Sequence, residues 1–354
     1  MGKERVMSVD IGTSKTKVVV GNHSKNKLMI DAMYEIETPR ESVQDGKILD
    51  AYRLRGMLSH IITTHKIREK KVICTLQSTS LITREVVLPA VDSAELKSMI
   101  QFEIEQYFPV NLEDYVVEYK MLEEYKENEV KKARILVAAL PKIIVEDYLH
   151  MFQEQKLKPI ALDINANAVS KLFSGTVAIN DENSSLDKTV AVIDFGCENI
   201  HINIISNGIL QFNRIIPIGG KQIDIMIADS LNLPLHEAVQ RKHMYQMEEV
   251  ENQSLLSNSL DSIIKTSLDS WIQEIQRLFQ YYNTRSMGNR IDIIYIYGGG
   301  SNLHGIDKYL ELSLRIPTYR IQRLGNVIMT NKNGKNDPVS IENFLNAIGA
   351  IIRR

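Results

Sequence analysis

The sequence predicts an α/β protein built from two related halves that face a cleft, with a compact β-α-β-β-α block of its own at residues 85–160. Three observations lead there. The stretch "VDIGTSKTKVVV", from Val9, is echoed about 185 residues later by "IDFGCENIHINI", from Ile193. Each copy sets an aspartate at the end of an apolar strand, a glycine two residues on, then a polar turn and a second strand. Around both copies, apolar runs of strand length alternate with stretches of helical period. The length, 354 residues, suits two or three domains able to bury large cores without covalent help.

Residues 6–20 read as two strands around the first turn, and "KLMIDAMYEIETP" (27–39) as a third. Leu54, Met57, Leu58, Ile61 and Ile62 have helical spacing within 48–65, and "KVICTL" (71–76) and "TREVVLP" (83–89) follow as strands. Residues 92–108 form a helix that Asp92 caps, with Glu95 three residues on and Pro109 as its stop. "YVVEYKMLEEY" and "ARILVAALP" are two strands, "KENEVKKAR" (126–134) between them is a solvated hairpin tip, and 142–155 is a second helix. Residues 189–219 repeat strand, tight turn, strand, with a further strand past Asn207-Gly208. Helices dominate 220–285, where Trp271, Ile275, Leu278 and Phe279 read as core. "IDIIYIYGGGS" (291–301) is a buried strand ending in glycines, followed by a helix, a strand, the polar loop 330–337 and a last helix.

Composition narrows the function. A chain that is 44% hydrophobic and 24% charged, with a net charge of −2, is ordinary for a soluble globular protein. A general nucleic-acid binder needs clustered Lys and Arg, which this balance argues against. The two cysteines, Cys74 and Cys197, make no disulfide framework, which fits a reducing cytoplasm. No run of eighteen apolar residues occurs, and the N-terminal residues lack the apolar core expected of a secretory signal. The closing "FLNAIGAIIRR" reads as a short core helix rather than an anchor. The expectation is no nucleic acid, no direct membrane insertion, and any membrane association through a partner. The histidines show no metal-ligand spacing.

The first turn alone is as consistent with a plain hairpin as with a phosphate site, because hairpin turns favour Gly, Asp, Ser and Thr. Two opposed turns can do more. Each presents successive backbone N–H groups around Gly12 or Gly196 as a small anion nest. Thr13, Ser14 and Thr16 add hydroxyls, and Lys15 or Lys17 adds charge. Asp10 and Asp194 can hold a hydrated Mg²⁺, which accepts one or two carboxylates plus phosphate oxygens. Together they make a triphosphate clamp. Gly298, Gly299 and Gly300, with Ser301 after them, allow close backbone approach to a flat ligand such as a purine. Gly219 and Gly220 open a helix whose free N–H groups can face the nucleotide. Cys197 has no visible His partner for nucleophilic catalysis.

These elements, in this order, resemble the actin-like ATPase superfamily that includes FtsA, MreB and the heat-shock chaperones. "SVQDGKILD" (42–50), residues 84–119 and 135–164, "RIIPIGGKQI" and "AIGAIIRR" narrow the resemblance to the type IV pilus assembly PilM family over nearly the whole chain. The resemblance implies duplicated, ribonuclease-H-like domains around an ATP- or ADP-binding cleft with Mg²⁺, and an inserted subdomain of the FtsA/PilM type. Its division would be 1–84 with 161–187 and 338–354, the insert at 85–160, 188–228 with 290–337, and 229–289. It implies Lys242 near the base. It further implies a cytoplasmic adaptor that binds the tail of a PilN-like bitopic membrane protein, close to the assembly platform and motor ATPase, with self-association open. Tyr107 and Phe108 are candidates for the groove that takes this tail.

Three positions depart from the family pattern. "CENIH" supplies Asn199 and Ile200 where hydroxyls are usual, and strand packing accounts for Ile200. Asn165 stands where a carboxylate orients water in hydrolytic relatives, and an amide cannot take a proton at neutral pH. Val239 replaces a ribose-facing glutamate. Asp10, Asp194 and the backbone donors remain, so binding with weak or absent hydrolysis is expected and no catalytic residue is assigned. The alternatives are a sugar or carboxylate kinase of the same superfamily, and an FtsA-like filament or scaffold with a degenerate site. A kinase needs a base for its substrate hydroxyl. An FtsA-like filament needs a C-terminal amphipathic helix, and the sequence stops at Arg354 directly after its last core helix.

Overall fold

A computed structural model describes residues 4–24, 27–107, 111–175, 177–180, 182–184, 187–245, 255–285, 290–330 and 341–353. Both copies of the repeat fold with the same strand order. In the first, Val6–Ile11, Lys15–Ser24 and Lys27–Glu37 form an antiparallel meander; Lys71–Leu76 lies parallel to Val6–Ile11, and Lys158–Ile164 parallel to Lys71–Leu76. In the second, Val190–Phe195, Ile200–Ser206 and Ile209–Ile216 form the meander, and Ile293–Tyr297 and Thr318–Arg320 add in parallel on its other side. The registers correspond as well. Asp10 lies opposite Lys17, and Asp194 opposite His201.

One strand departs from the expected division. Val327–Met329 falls within 290–337, yet it pairs with Leu28–Ile30 at the edge of the first sheet. After Thr318–Arg320 the chain crosses back through buried Ile321 and Leu324 and covers an edge that would otherwise leave its backbone groups unpaired. Most of the 330–337 loop lies outside the described residues.

The core between the sheets is filled by two short helices, Asn165–Leu172 and Leu345–Ala350, which pack on each other with side chains of both sheets around them. They touch backbone to backbone, since a Cβ on Gly349 would lie 2.1 Å from the Ala168 carbonyl oxygen. The closing segment is core, as its apolar pattern predicts. The outer face of the second sheet is covered by Leu255–Arg285, whose Trp271, Ile275 and Phe279 are buried. No helix among the described residues is long and apolar enough to cross a membrane.

The block at 85–160 has the expected element order, but its last helix packs elsewhere. Val130–Pro141 lies between Ile82–Pro89 and Tyr115–Glu127, and the helix Ser93–Tyr107 seats Leu96, Ile100 and Ile104 on this sheet. Asp92 caps that helix by accepting the Glu95 N–H at 3.0 Å. The helix Lys142–Glu154 instead buries Ile144, Tyr148, Met151 and Phe152 on the outer face of the first sheet, with Leu54 and Leu58 of Ala51–Thr64. The hairpin tip is also shorter than the charge run suggested. Only Asn128 and Glu129 turn, both at positive φ, the two-residue geometry that matches strand twist. Arg134, read as part of the tip, is in the strand and ion-pairs with Glu85 (3.2 Å) and Glu123 (2.8 Å). It also donates to Gln211 at 2.6 Å, which ties the block to the second sheet.

Candidate functional site

The two repeat turns have one geometry. The Gly12 N–H donates to the Lys15 carbonyl (3.2 Å), and the Gly196 N–H to the Asn199 carbonyl (3.0 Å). A Cβ would come within 2.8 Å of the first acceptor and 2.7 Å of the second, so both turns require glycine for close approach. Their tips face each other: burial pushes the Cys197 thiol up, and the Thr13 side chain is the first of the neighbours that pull it back. Thr38 braces the first turn by donating its N–H to the Ser14 carbonyl (2.9 Å) and its hydroxyl to the Gly12 carbonyl (2.7 Å). Thr16 is buried and shares a hydrogen bond with Thr38, so its hydroxyl faces protein.

At the ends of the two strands, Asp10 and Asp194 converge on a residue that sequence reasoning missed. Asn346 Nδ2 donates to Asp10 Oδ2 and to Asp194 Oδ2, each at 3.3 Å. Its Oδ1 accepts from the Tyr297 hydroxyl at 3.0 Å. The available signal was one amide in an otherwise apolar helix. Thr75 donates to Asp10 Oδ1 at 3.2 Å. Burial pushes both carboxyls up, Asp194 to about 6, against the pull of Lys17. Burial also lowers His201 to about 4, so this ring is neutral at physiological pH beside Asp194.

The two candidate lysines divide between two partners. Lys15 is exposed and its ammonium pairs with Glu35 at 2.6 Å. Lys17, opposite Asp10 in the register, is the cation whose charge reaches both aspartates. Lys242 lies behind the second turn, bonded to the Gly220 carbonyl (2.9 Å) and paired with buried Asp224 (2.6 Å).

The glycines have separate tasks. Gly298 sits at φ +85°, and a Cβ there would lie 2.1 Å from Asp194 Oδ1. Gly300 packs on Phe195, whereas a Cβ on Gly299 would meet nothing within 4 Å. Gly299 is therefore the glycine with open space beside it. Ser301 is fully buried and donates to the Gly298 carbonyl at 2.7 Å, which occupies its hydroxyl. The helix Gly220–Leu231 does not open with free donors as expected. Its Gly220 and Lys221 N–H groups bond the Gly196 and Cys197 carbonyls at 3.0 and 2.8 Å and hold the second turn in place. Gly219 lets those carbonyls approach, with a Cβ there only 2.6 Å from the Cys197 oxygen.

The structure thus gathers Asp10, Gly12, Thr13, Lys17, Asp194, Gly196 and Gly298, and adds Asn346 and Tyr297. Ser14 is exposed at the tip of the first turn. Asn165 opens the helix after Lys158–Ile164, buried with its Oδ1 unpartnered among the described residues. Ile200 is buried core, as strand packing predicts. Trp271, the single tryptophan, stacks on Phe195 at 5.4 Å, next to Asp194. The donor set fits a hard cation that brings most of its own ligands. Two buried carboxylates converge, and no cluster of three His, Cys, Asp or Glu occurs among the described residues.

Tyr107 is the last residue of its helix; its side chain, and all of Phe108, lie outside the described residues. On the same block, Phe102 is 59% and Val87 48% exposed.

Comparison with known proteins agrees with this architecture. Residues 8–354 match the family model described as type IV pilus assembly protein PilM. The chain is 24% identical over 302 residues to the cell division protein FtsA of Bacillus subtilis, a match covering 71% of this chain and 61% of that protein. Among solved structures, it superposes on a chain of a PilM–PilN type IV pilus biogenesis complex with a TM-score of 0.82 at 20% identity, covering 99% and 98% of the two chains. An MreB of Spiroplasma citri bound to AMPPNP gives 0.52 at 14% identity, covering 91% and 92%. The fold is actin-like, with the FtsA/PilM type of insert, and the chain belongs to the type IV pilus assembly protein PilM family.

Proposed function

We infer that this chain is a nucleotide-binding adaptor of type IV pilus, or related filament, assembly, working in the cytoplasm and recruited to the membrane by a partner. One observation carries the reading. The likeness to the PilM–PilN structure runs through the inserted block as well as both repeat halves, over 99% of this chain. The kinase alternative is disfavoured for the same reason.

The proposed partner is the extended cytoplasmic tail of a PilN-like membrane protein, held against the first domain and the inserted block. Extended peptides bind by backbone pairing at sheet edges plus a few apolar anchors. The block offers Ile82–Pro89 and Tyr115–Glu127 as edges of its sheet, with Val87 and Phe102 exposed on it. The platform and motor ATPase would be reached through this partner.

The proposed ligand is ATP or ADP with Mg²⁺. Asp10 and Asp194 would hold the cation, which neutralises phosphate charge when bound. Lys17 and the two turns would face the phosphates, and Gly299 would leave room for the flat base. Asn165 can position water but cannot accept its proton, so turnover is slow or absent.

Two measurements test the reading. Fluorescence anisotropy of a labelled peptide from the tail of the neighbouring membrane protein should show saturable binding that Phe102→Ala weakens; no binding to the intact protein would remove the adaptor role. Emission of Trp271 should change on titration with ADP and Mg²⁺, with heat in calorimetry. Silence in both would leave a scaffold without nucleotide.

A further inference from the structure

Among the described residues, Asn346 is the one side chain seen to hydrogen-bond both aspartates of the repeat. Resting on the nucleotide reading above, we propose that it is the positioning residue of the cation site, setting the separation and orientation of Asp10 and Asp194 from the core side. Both donor contacts of its amide go to the site, and Tyr297, the register partner of Asp194, donates to its oxygen. The amide orientation follows from these partners, because the reverse would set its oxygen against two carboxylates.

The placement is costly without such a role. Asn346 is buried in a six-residue helix whose every side chain is buried between the sheets, where an unsatisfied amide is expensive. Its side-chain hydrogen bonds go to Asp10, Asp194 and Tyr297, all in the site. Asp10 comes from the first copy and Asp194 from the second, so a neutral donor between them offsets like-charge repulsion without competing for the cation. It reaches the carboxylates through the same helix that Gly349 seats against Ala168, so cation geometry is linked to the packing between the two halves. Ligands that touch a metal are ordinarily held by such outer partners, and losing one lowers metal affinity roughly 10–100-fold.

The test is Mn²⁺ affinity of the full chain, read by electron paramagnetic resonance with and without ADP, alongside metal-free ADP affinity read by Trp271 emission. Asn346→Leu, close in volume but without donors, should lose roughly 10–100-fold in Mn²⁺ affinity while metal-free ADP binding stays within about twofold. Tyr297→Phe, which removes only the hydroxyl that orients the amide, should show a smaller loss in the same direction. It decides the matter if the leucine variant does not fold. Unchanged Mn²⁺ affinity in the folded variants overturns the proposal and leaves the nucleotide reading intact. Equal loss of metal-free and metal-dependent binding overturns it in favour of a structural role. Wild-type protein that binds ADP without tightening by Mn²⁺ also overturns it, and one that binds neither overturns both readings.

Discussion

Replacing Asp194 with asparagine should stabilise the ligand-free protein at neutral pH, by an amount that shrinks as the pH falls. Asp194 is buried, and its carboxyl is raised from 3.8 to about 6 by burial, with Lys17, Asn346 and Tyr297 pulling it back. A folded value above the unfolded one means that the folded state holds the proton more tightly. The stability from that proton is complete below the unfolded value and is lost as pH rises through about 6. About two units at ~1.4 kcal/mol each make the ionised carboxylate cost about 3 kcal/mol at neutral pH. Asparagine does not titrate and keeps an oxygen for Asn346. Its advantage over aspartate should fall by about 2 kcal/mol between about pH 7.5 and 4.5. His201 acts in the opposite sense. Its neutral-form stability is present above about 6.5 and is lost as pH falls through about 4, but both proteins carry it and the difference removes it. Urea unfolding of both proteins across this range measures the quantity. A difference that is constant with pH, or that grows toward acid, would refute the reasoning. The stabilised variant should lose cation binding, as expected where a functional charge is held at a cost to stability.

Lys17→Ala should weaken ADP binding about 10- to 100-fold by calorimetry, the size of a lost charged hydrogen bond, while Lys15→Ala stays within about twofold because Lys15 pairs with Glu35. Equal effects would mean that the wrong lysine faces the phosphates. Gly349→Ala should lower the thermal midpoint, since its Cβ would lie 2.1 Å from a backbone oxygen of the neighbouring helix; overpacking of this kind costs about 1–3 kcal/mol. Gly56→Ala, in an exposed helix interior with nothing within 4 Å, should raise it by about 0.5–1 kcal/mol of stability. Shifts of the same sign would contradict the packing described.

Much of the fold was legible because its signals are local. A short apolar run placed the strand "KVICTL" at Lys71–Leu76, and Asp92 marked a helix start. The two Asp-x-Gly turns announced a repeat, and the matching strand order of both sheets bears it out. What the sequence by itself determined was therefore the elements, the duplication and the two aspartates. Tertiary structure decided the rest. Lys17 rather than Lys15 acts on the two aspartates because pairing sets Lys17 opposite Asp10 and lets Glu35 take Lys15. The apolar face of Lys142–Glu154 could have served either sheet, and Val327–Met329 had two possible hosts. The Gly220 and Lys221 donors are occupied because the second turn folds onto them. Asn346 sits more than 300 residues from Asp10, and no local pattern relates the two. Periodicity reports which face of an element is apolar, whereas the identity of what that face meets is set by contacts between residues far apart in the chain.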